Sequence, residues 1–388
     1  GRGQRDIAPA VGKMNARERL FAVLEGRPLD HVPVWLLFPY HPTGYYGDVR
    51  REPSYQPVQA AAERCAITLD RRNLGVRLFA PEVREWSENF RDGGEEGSRS
   101  FIEYKGERLW TETRRSADGT RVKKLLASEA DLDLFCRLPL NLDADAIAQE
   151  LEAQLPQYRR EAAEFPAHLG AMMLDLGEPV GPLYHSAQLD EYAIWSLTQP
   201  ERVVDFLERL MRQKRLVYRF CLERDLADVY FLVGSELASP PLVSVRTFRR
   251  WVLPYARELI DLVHAHGKKV IQHYHGQIKT ILPEFVEMGA DALHTIEAPP
   301  VGNCTLSEAF AITGGKLALI GNIQYDDFER LSPDEMRAAV RAVLAECRGQ
   351  RLILSPSAGP YEERISPRMM ENYLVFLQTA WEYKIEGA

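Results

Sequence analysis

His273-Tyr274-His275 ends the apolar run KKVIQHYH and sets two imidazoles two residues apart. Residues i and i+2 of a strand face the same side, so both rings can meet one ion or one substrate if the extended backbone continues to His275. Neutral imidazole binds Zn2+ well, and a carboxylate from a neighbouring strand would complete a three-ligand site with an exchangeable fourth position. Two carboxylates stand at comparable places: Glu236 closes YFLVGSE and Glu297 closes LHTIE. Asn322 closes LALIGN, and Ser355 and Ser357 close LILSPS. An apolar strand needs none of these side chains for its own stability, so their repeated terminal placement predicts a convergent polar ring. The competing expectation is that each pairs locally, in a barrel that binds or supports without catalysing.

A second group lies in FPYHPTGYYGD, where Tyr40, His41, Tyr45 and Tyr46 occupy a loop shaped by Pro and Gly. Such polar aromatics suit a flat organic substrate that also needs hydrogen bonds, although surface packing would use the same residues. The loop LGEPVGPLYH, residues 176–185, cannot continue a helix and is another candidate lining segment. His264 and His266 precede Gly267 at a helix end, where capping suits them better than ligation, and His294 inside its strand reads as structural. The candidate catalytic and metal set is therefore His273, His275, Glu236 and Glu297, with Tyr40, His41, Tyr45, Tyr46, Asn322 and Ser357 for substrate.

These residues need a scaffold that brings strand ends together. From residue 229 onward, apolar runs of strand length alternate with helical segments at least five times, ending in a helix from Pro333 to Glu346, RLILSPS and a helix from Pro367 to Glu382. That alternation calls for a parallel sheet covered by helices, and a closed barrel gathers its chemistry at the C-terminal ends of its strands. No GxGxxG follows the first apolar run, which disfavours a dinucleotide fold. Before the regular half, NARERLFAVLEG reads as an amphipathic helix closed by Gly26, Val32 to Phe38 as a strand, and Pro57 to Asp70 as a helix. Residues 91–99 read as a polar loop, and alternation with turns at Gly106 and Asp118-Gly119 predicts an inserted β-hairpin near 99–124. The expected organisation is a flexible arm over residues 1–13 and one TIM-like (β/α)8 barrel over 14–388, with an N-terminal helical extension.

Composition narrows the partners. The chain has 388 residues with 48 Lys+Arg against 56 Asp+Glu, a formal net charge of -8, which argues against nucleic acid as the main partner. Five cysteines without a close pair form neither a disulfide framework nor a CxxC site. No uninterrupted apolar stretch reaches about 18 residues, and the first residues lack a secretory hydrophobic core, so a cytoplasmic protein without a membrane span is expected.

Four segments, NARERLFAVLEGRPLDHVPV, HGKKVIQHYHGQIKTILPEFVEMGADALHTIE, GGKLALIGNIQ and LILSPSAGPYEERISPRMMENY, resemble the uroporphyrinogen decarboxylase superfamily in sequence and in order. That superfamily includes decarboxylases of tetrapyrrole synthesis and zinc methyltransferases that work with corrinoid proteins. The resemblance implies a TIM-like barrel, cytoplasmic, with a homodimer reasonable. Where the decarboxylases carry an arginine-rich ARQAGRY-type segment, this chain reads WLLFPYHPTGYYG, a poor charge match to a many-carboxylate macrocycle. The methyltransferase zinc motif resembles HxCG with a distant Cys; here His273 and Gly276 match, His275 replaces the first Cys and Ala358 the second. The resemblance implies, as the leading expectation, transfer of methyl from a small methoxylated, aromatic donor to a separate corrinoid protein. Zn2+ on His273, His275 and Glu236 or Glu297 would polarise the leaving atom. The alternative is a decarboxylase without metal.

Overall fold

The computed structural model describes residues 14–385, so the arm expected over residues 1–13 lies outside the described residues. The first described helix, Ala16–Glu25, is stopped by Gly26 in the left-handed region, as the sequence predicts, and is started by a capping box between Asn15 and Glu18. Its Leu20, Val23 and Leu24 pack into the barrel interior against Ala171, Val229, Ile271, Ala292 and Ile353, so the helix plugs the barrel rather than lying on its wall. Arg351, just before the last strand, donates to the carbonyls of Val23 and Leu24 and holds the plug in place.

The barrel strands are β1 (Thr68–Asn73), then, after an insertion of β2 (Arg84–Asp92), β3 (Glu95–Tyr104), β4 (Glu107–Ser116) and β5 (Gly119–Lys123), the strands β6 (Gly170–Asp175), β7 (Val229–Leu232), β8 (Lys269–His273), β9 (Ala292–His294), β10 (Ala318–Ile323) and β11 (Leu352–Pro356). β1 and β6 to β11 form a seven-stranded sheet in that order, and each pair is parallel. A two-residue segment joins its edges: Val34 bridges Leu354 of β11 and Trp35 bridges Ile67 beside β1. Trp35 N–H donates to Leu354 O at 2.9 Å and Ile67 N–H to Val34 O at 2.8 Å, which closes the curled sheet. The expected TIM-like barrel is therefore present, with its first strand reduced from the predicted Val32 to Phe38 to this short join.

Two parts of the N-terminal half differ from the sequence expectation. The helix expected to reach Asp70 ends at Cys65, and Thr68–Asn73 is strand β1. Its TLDRRN pattern is short, and its charged end conceals the apolar start. The hairpin expected at 99–124 is the later part of a four-stranded antiparallel sheet, β2 to β5. The polar stretch 91–99 is a tight turn at Gly93-Gly94 between two strands rather than a loop. These strands carry charge pairs such as Arg114 with Glu95 and Glu112, and Trp86 stacks on Phe101 at 5.1 Å. Both faces are substantially wet, so the twofold alternation that marks a half-buried sheet is weak here. Among the described residues no helix is long and apolar enough to cross a membrane.

Candidate functional site at the barrel mouth

Strand alternation sets the site. The side chains of Leu69 in β1, Met173 in β6, Phe231 in β7, Ile271 in β8, Ala292 in β9 and Ile320 in β10 fill the barrel interior. Two residues further along β1, β8 and β9, the same inward face carries Arg71, His273 and His294. The apolar interior thus gives way to a polar layer at the strand C-termini, below a cavity of about 310 Å3. Arg71, Glu236, His273, His275, His294, Tyr45, Tyr46 and Tyr361 supply its polar lining, over an apolar floor that includes Trp35, Leu69, Met173 and Phe231. Leu37, also in the wall, has φ 66, a left-handed backbone that costs a branched residue roughly 1–2 kcal/mol. Gly359 answers a tighter demand: at φ 94, a Cβ there would lie 2.2 Å from the Tyr325 ring.

His273 Nδ1 lies 2.8 Å from His294 Nδ1, and His294 Nε2 lies 3.0 Å from the Pro356 carbonyl. Burial holds both rings neutral, reinforced for His273 by the neighbouring His294, His275 and Arg71; it pushes His294 down to about 3. On the other side of His273, Nε2 is 3.7 Å from Glu236 Oε1. Glu236 is itself held by Oε2, which accepts from the Tyr184 hydroxyl at 2.9 Å and the Gly234 N–H at 3.0 Å.

His275 follows the end of β8, but pairing continues past it, since Tyr274 N–H donates to His294 O at 2.7 Å. The rings of His273 and His275 come within 4.5 Å, so the sequence spacing does bring both imidazoles to one cavity. His275 Nδ1 is 3.0 Å from Glu297 Oε1, which also accepts from Gly276 N–H, while Glu297 Oε2 accepts from Gln324. Burial by itself would raise the Glu297 carboxyl, but these partners outweigh it and bring it down to about 2. Glu297 is thus a carboxylate that orients His275 from behind and does not line the cavity.

Among the described residues no group of three or more His, Cys, Asp or Glu is arranged to hold a metal ion. His273 Nε2 and Glu236 Oε1 face one another as two donor atoms, whereas Glu297 is saturated by His275, Gly276 and Gln324. The fit to a three-ligand zinc site is partial: a third donor would have to come from His275 or from a ligand.

The loop after the closing segment divides. Tyr45 and Tyr46 line the cavity, whereas Tyr40 and His41 do not. His41 is fixed between Asp70, at 2.6 Å from Nδ1, and Glu164, at 2.9 Å from Nε2, and Tyr40 packs on Phe165 beneath Arg50. Asn322 donates to Ile296 O at 2.6 Å, and Ser357 accepts from Tyr325 N–H and meets Gln324; both brace neighbouring loops and neither lines the cavity. Segment 176–185, expected as a lining loop, turns into a short helix at Gly181–Ser186 and does not line the cavity; it places Tyr184 behind Glu236, and Glu178 before the helix is fully buried and pushed up to about 8 mainly by burial.

Sequence reasoning missed Arg71. Its guanidinium donates to Asp175 at 2.6 Å and to the Tyr46 hydroxyl at 3.1 Å, and lies 4.8 Å over Tyr45 and 5.0 Å over Phe231. Its Nε is buried without a protein partner. A strand assignment for TLDRRN would have revealed it, because alternation from Leu69 puts Arg71 inside.

Residues 184–377 match the family described as uroporphyrinogen decarboxylase (URO-D). The match covers half of the 388 residues, and the chain belongs to that family. No curated protein matches it. Among solved structures, a methyltransferase from Methanosarcina mazei is similar over 96% of this chain and 100% of its own, at 16% identity and a TM-score of 0.56, a likeness of fold. A B12-independent methionine synthase from Shewanella sp. W3-18-1, in complex with selenomethionine, matches over 59% of this chain and 65% of its own, at 12% identity and a TM-score of 0.39.

Proposed function

We propose that the protein is a carboxy-lyase acting on a small aromatic monocarboxylic acid without a resident metal. One observation carries this reading: a single guanidinium, that of Arg71, lines an aromatic cavity of about 310 Å3. A macrocycle bearing many carboxylates would need more cations and more room, whereas one planar acid matches both in size and in charge. Asp175 and Tyr46 hold the guanidinium in place, and two of its five N–H groups serve them. A substrate carboxylate would take the remaining donors, with its ring between the tyrosines and Phe231.

In such a reaction the bond from carbon to carboxylate breaks, carbon dioxide departs, and the electron pair left on carbon takes a proton. His275 is the residue suited to deliver it: Nδ1 is tied to the Glu297 carboxylate and Nε2 is left for exchange. Glu236 and His273, on the adjoining wall, would hold another part of the substrate. The test is carbon dioxide release from a panel of small aromatic acids, with and without chelator. Turnover unaffected by chelator and a KM raised about tenfold or more in Arg71→Gln are expected. Zinc-dependent methyl transfer to added cob(I)alamin, with no carbon dioxide released, would overturn the reading.

That outcome defines the second reading, methyl transfer from a methoxylated aromatic donor to a corrinoid protein. The facing His273 Nε2 and Glu236 Oε1 favour it, since two acceptors so placed would also attract a cation. Bound there, Zn2+ would supply Lewis-acid polarisation of the leaving heteroatom. Zinc content of the purified protein and of a His273→Ala variant tests it.

A further inference from the structure

The protons of the His294–His273 pair can be assigned from the hydrogen-bond network. The Pro356 carbonyl only accepts, so the His294 Nε2 that faces it at 3.0 Å must carry hydrogen. A neutral His294 then has a bare Nδ1. The 2.8 Å contact between the two Nδ1 atoms needs one hydrogen, and it must be on His273. Neutral His273 is therefore left with a bare Nε2, and that lone pair is 3.7 Å from Glu236 Oε1.

Glu236 accepts from Tyr184 and Gly234 on its other oxygen, and a carboxylate has no hydrogen to offer in return from Oε1. Two lone pairs thus face each other across a gap too long for a direct hydrogen bond, in the wall of the cavity. Two unpaired acceptors in a partly desolvated place are costly unless a donor comes between them. Arg71 is nearby, but its hydrogen bonds run to Asp175 and Tyr46 and none of them reaches either of these atoms.

We infer that His273 Nε2 and Glu236 Oε1 form a subsite for an O–H or N–H donor on the substrate, and that His294 is the positioning residue that sets its polarity. The inference rests on the carboxy-lyase reading only for the rest of the ligand: the acid carries a hydroxyl or amino substituent, its carboxylate at Arg71 and its donor at His273 and Glu236. A methoxyl substituent, which only accepts, is refused there. Reversing the His294 relay would reverse the preference.

Ligand-observed NMR titration with phenol and with anisole tests the subsite without any carboxylate, so it does not depend on Arg71 or on turnover. Phenol is expected to bind about tenfold or more tightly than anisole, the worth of one hydrogen bond to a charged group. Glu236→Gln should abolish the preference, because its amide can donate to His273 Nε2 and fill the subsite from within. In His294→Phe the His273 tautomer is released and the preference should fall or invert, while His294→Gln, able to donate to Pro356 and accept from His273, should restore it. Histidine 15N shifts give a readout that packing loss would not move: His273 Nε2 is expected unprotonated in the native chain and protonated in His294→Phe. Equal binding of phenol and anisole, a protonated Nε2 in the native chain, or stoichiometric zinc in the purified protein each overturns the inference. Failure of every aromatic acid to release carbon dioxide, with the phenol preference intact, would instead sink the carboxy-lyase reading alone.

Discussion

Two histidines, His41 in the loop after the closing segment and His273 at the end of β8, are wired differently. His41 has both ring nitrogens against carboxylates, Asp70 at 2.6 Å and Glu164 at 2.9 Å, and Asp70 also accepts the backbone N–H groups of Tyr40 and His41. His273 has one nitrogen in a relay that ends on a backbone carbonyl, and the other bare toward a cavity. A histidine with both nitrogens satisfied fixes a loop; one with an unspent lone pair is available for chemistry. Residue type alone does not separate them, and hydrogen-bond accounting does.

The sharpest way to break this contrast is at His275, the proposed proton donor. His275→Ala is expected to lower kcat on an accepted acid about 100- to 10,000-fold with little change in Tm, whereas His41→Ala should keep kcat within about threefold and lower Tm. Comparable losses of kcat in both variants would erase the distinction. Next in size is Asp70→Asn. The carboxylate is fully buried and accepts three hydrogen bonds, so the change should cost roughly 2–3 kcal/mol in chemical unfolding.

The buried carboxylates around the mouth should also show opposite pH signatures. Glu178 is raised from 4.5 to about 8, so as pH rises through that window the unfolded chain ionises first and stability falls. Glu297 is lowered to about 2, and its contribution is present above 4.5 and lost as pH falls toward 2. Glu178→Gln is accordingly expected to raise Tm by about 2–4 °C at pH 8 and by little at pH 4.5. A Tm difference independent of pH would refute the assignment. The smallest effect belongs to the exposed partner of His41: Glu164, with 64% of its side chain in water, should give up about 0.5 kcal/mol or less when changed to Gln.

Much of this was legible in the sequence wherever one periodicity ran cleanly. The helices Pro333–Glu346 and Pro367–Glu382 and the strands from Val229 onward were set out by apolar runs bounded by Gly and Pro, and the expected strand-end ring is where His273, His275 and Glu236 meet. Strand β1 was hidden because its short apolar start comes almost directly after an alanine-rich helix and its far end, Arg71-Arg72-Asn73, is polar, and Arg71 was hidden with it. His294 read as structural on its own, since a lone histidine in ALH shows nothing of the Pro356 carbonyl 62 residues further on. Tyr40 and His41 had the right chemistry for a substrate loop; what spacing could not convey was that the buried Asp70 draws the loop's beginning outward and leaves Tyr45 and Tyr46 to face the cavity.

The short join at Val34–Trp35 has a kinetic side. It brings residue 34 against residue 354, a contact separated by nearly the whole described chain, and such distant pairings form late because the intervening chain must already be ordered. Trp35 and Leu37 on one flank of the cavity and Ala358, Gly359 and Tyr361 on the other meet only when that seam is made. A nascent chain still short of β11 can therefore own every histidine of the site and yet offer no enclosed chamber, so ligand capture would register completed closure of the barrel during synthesis.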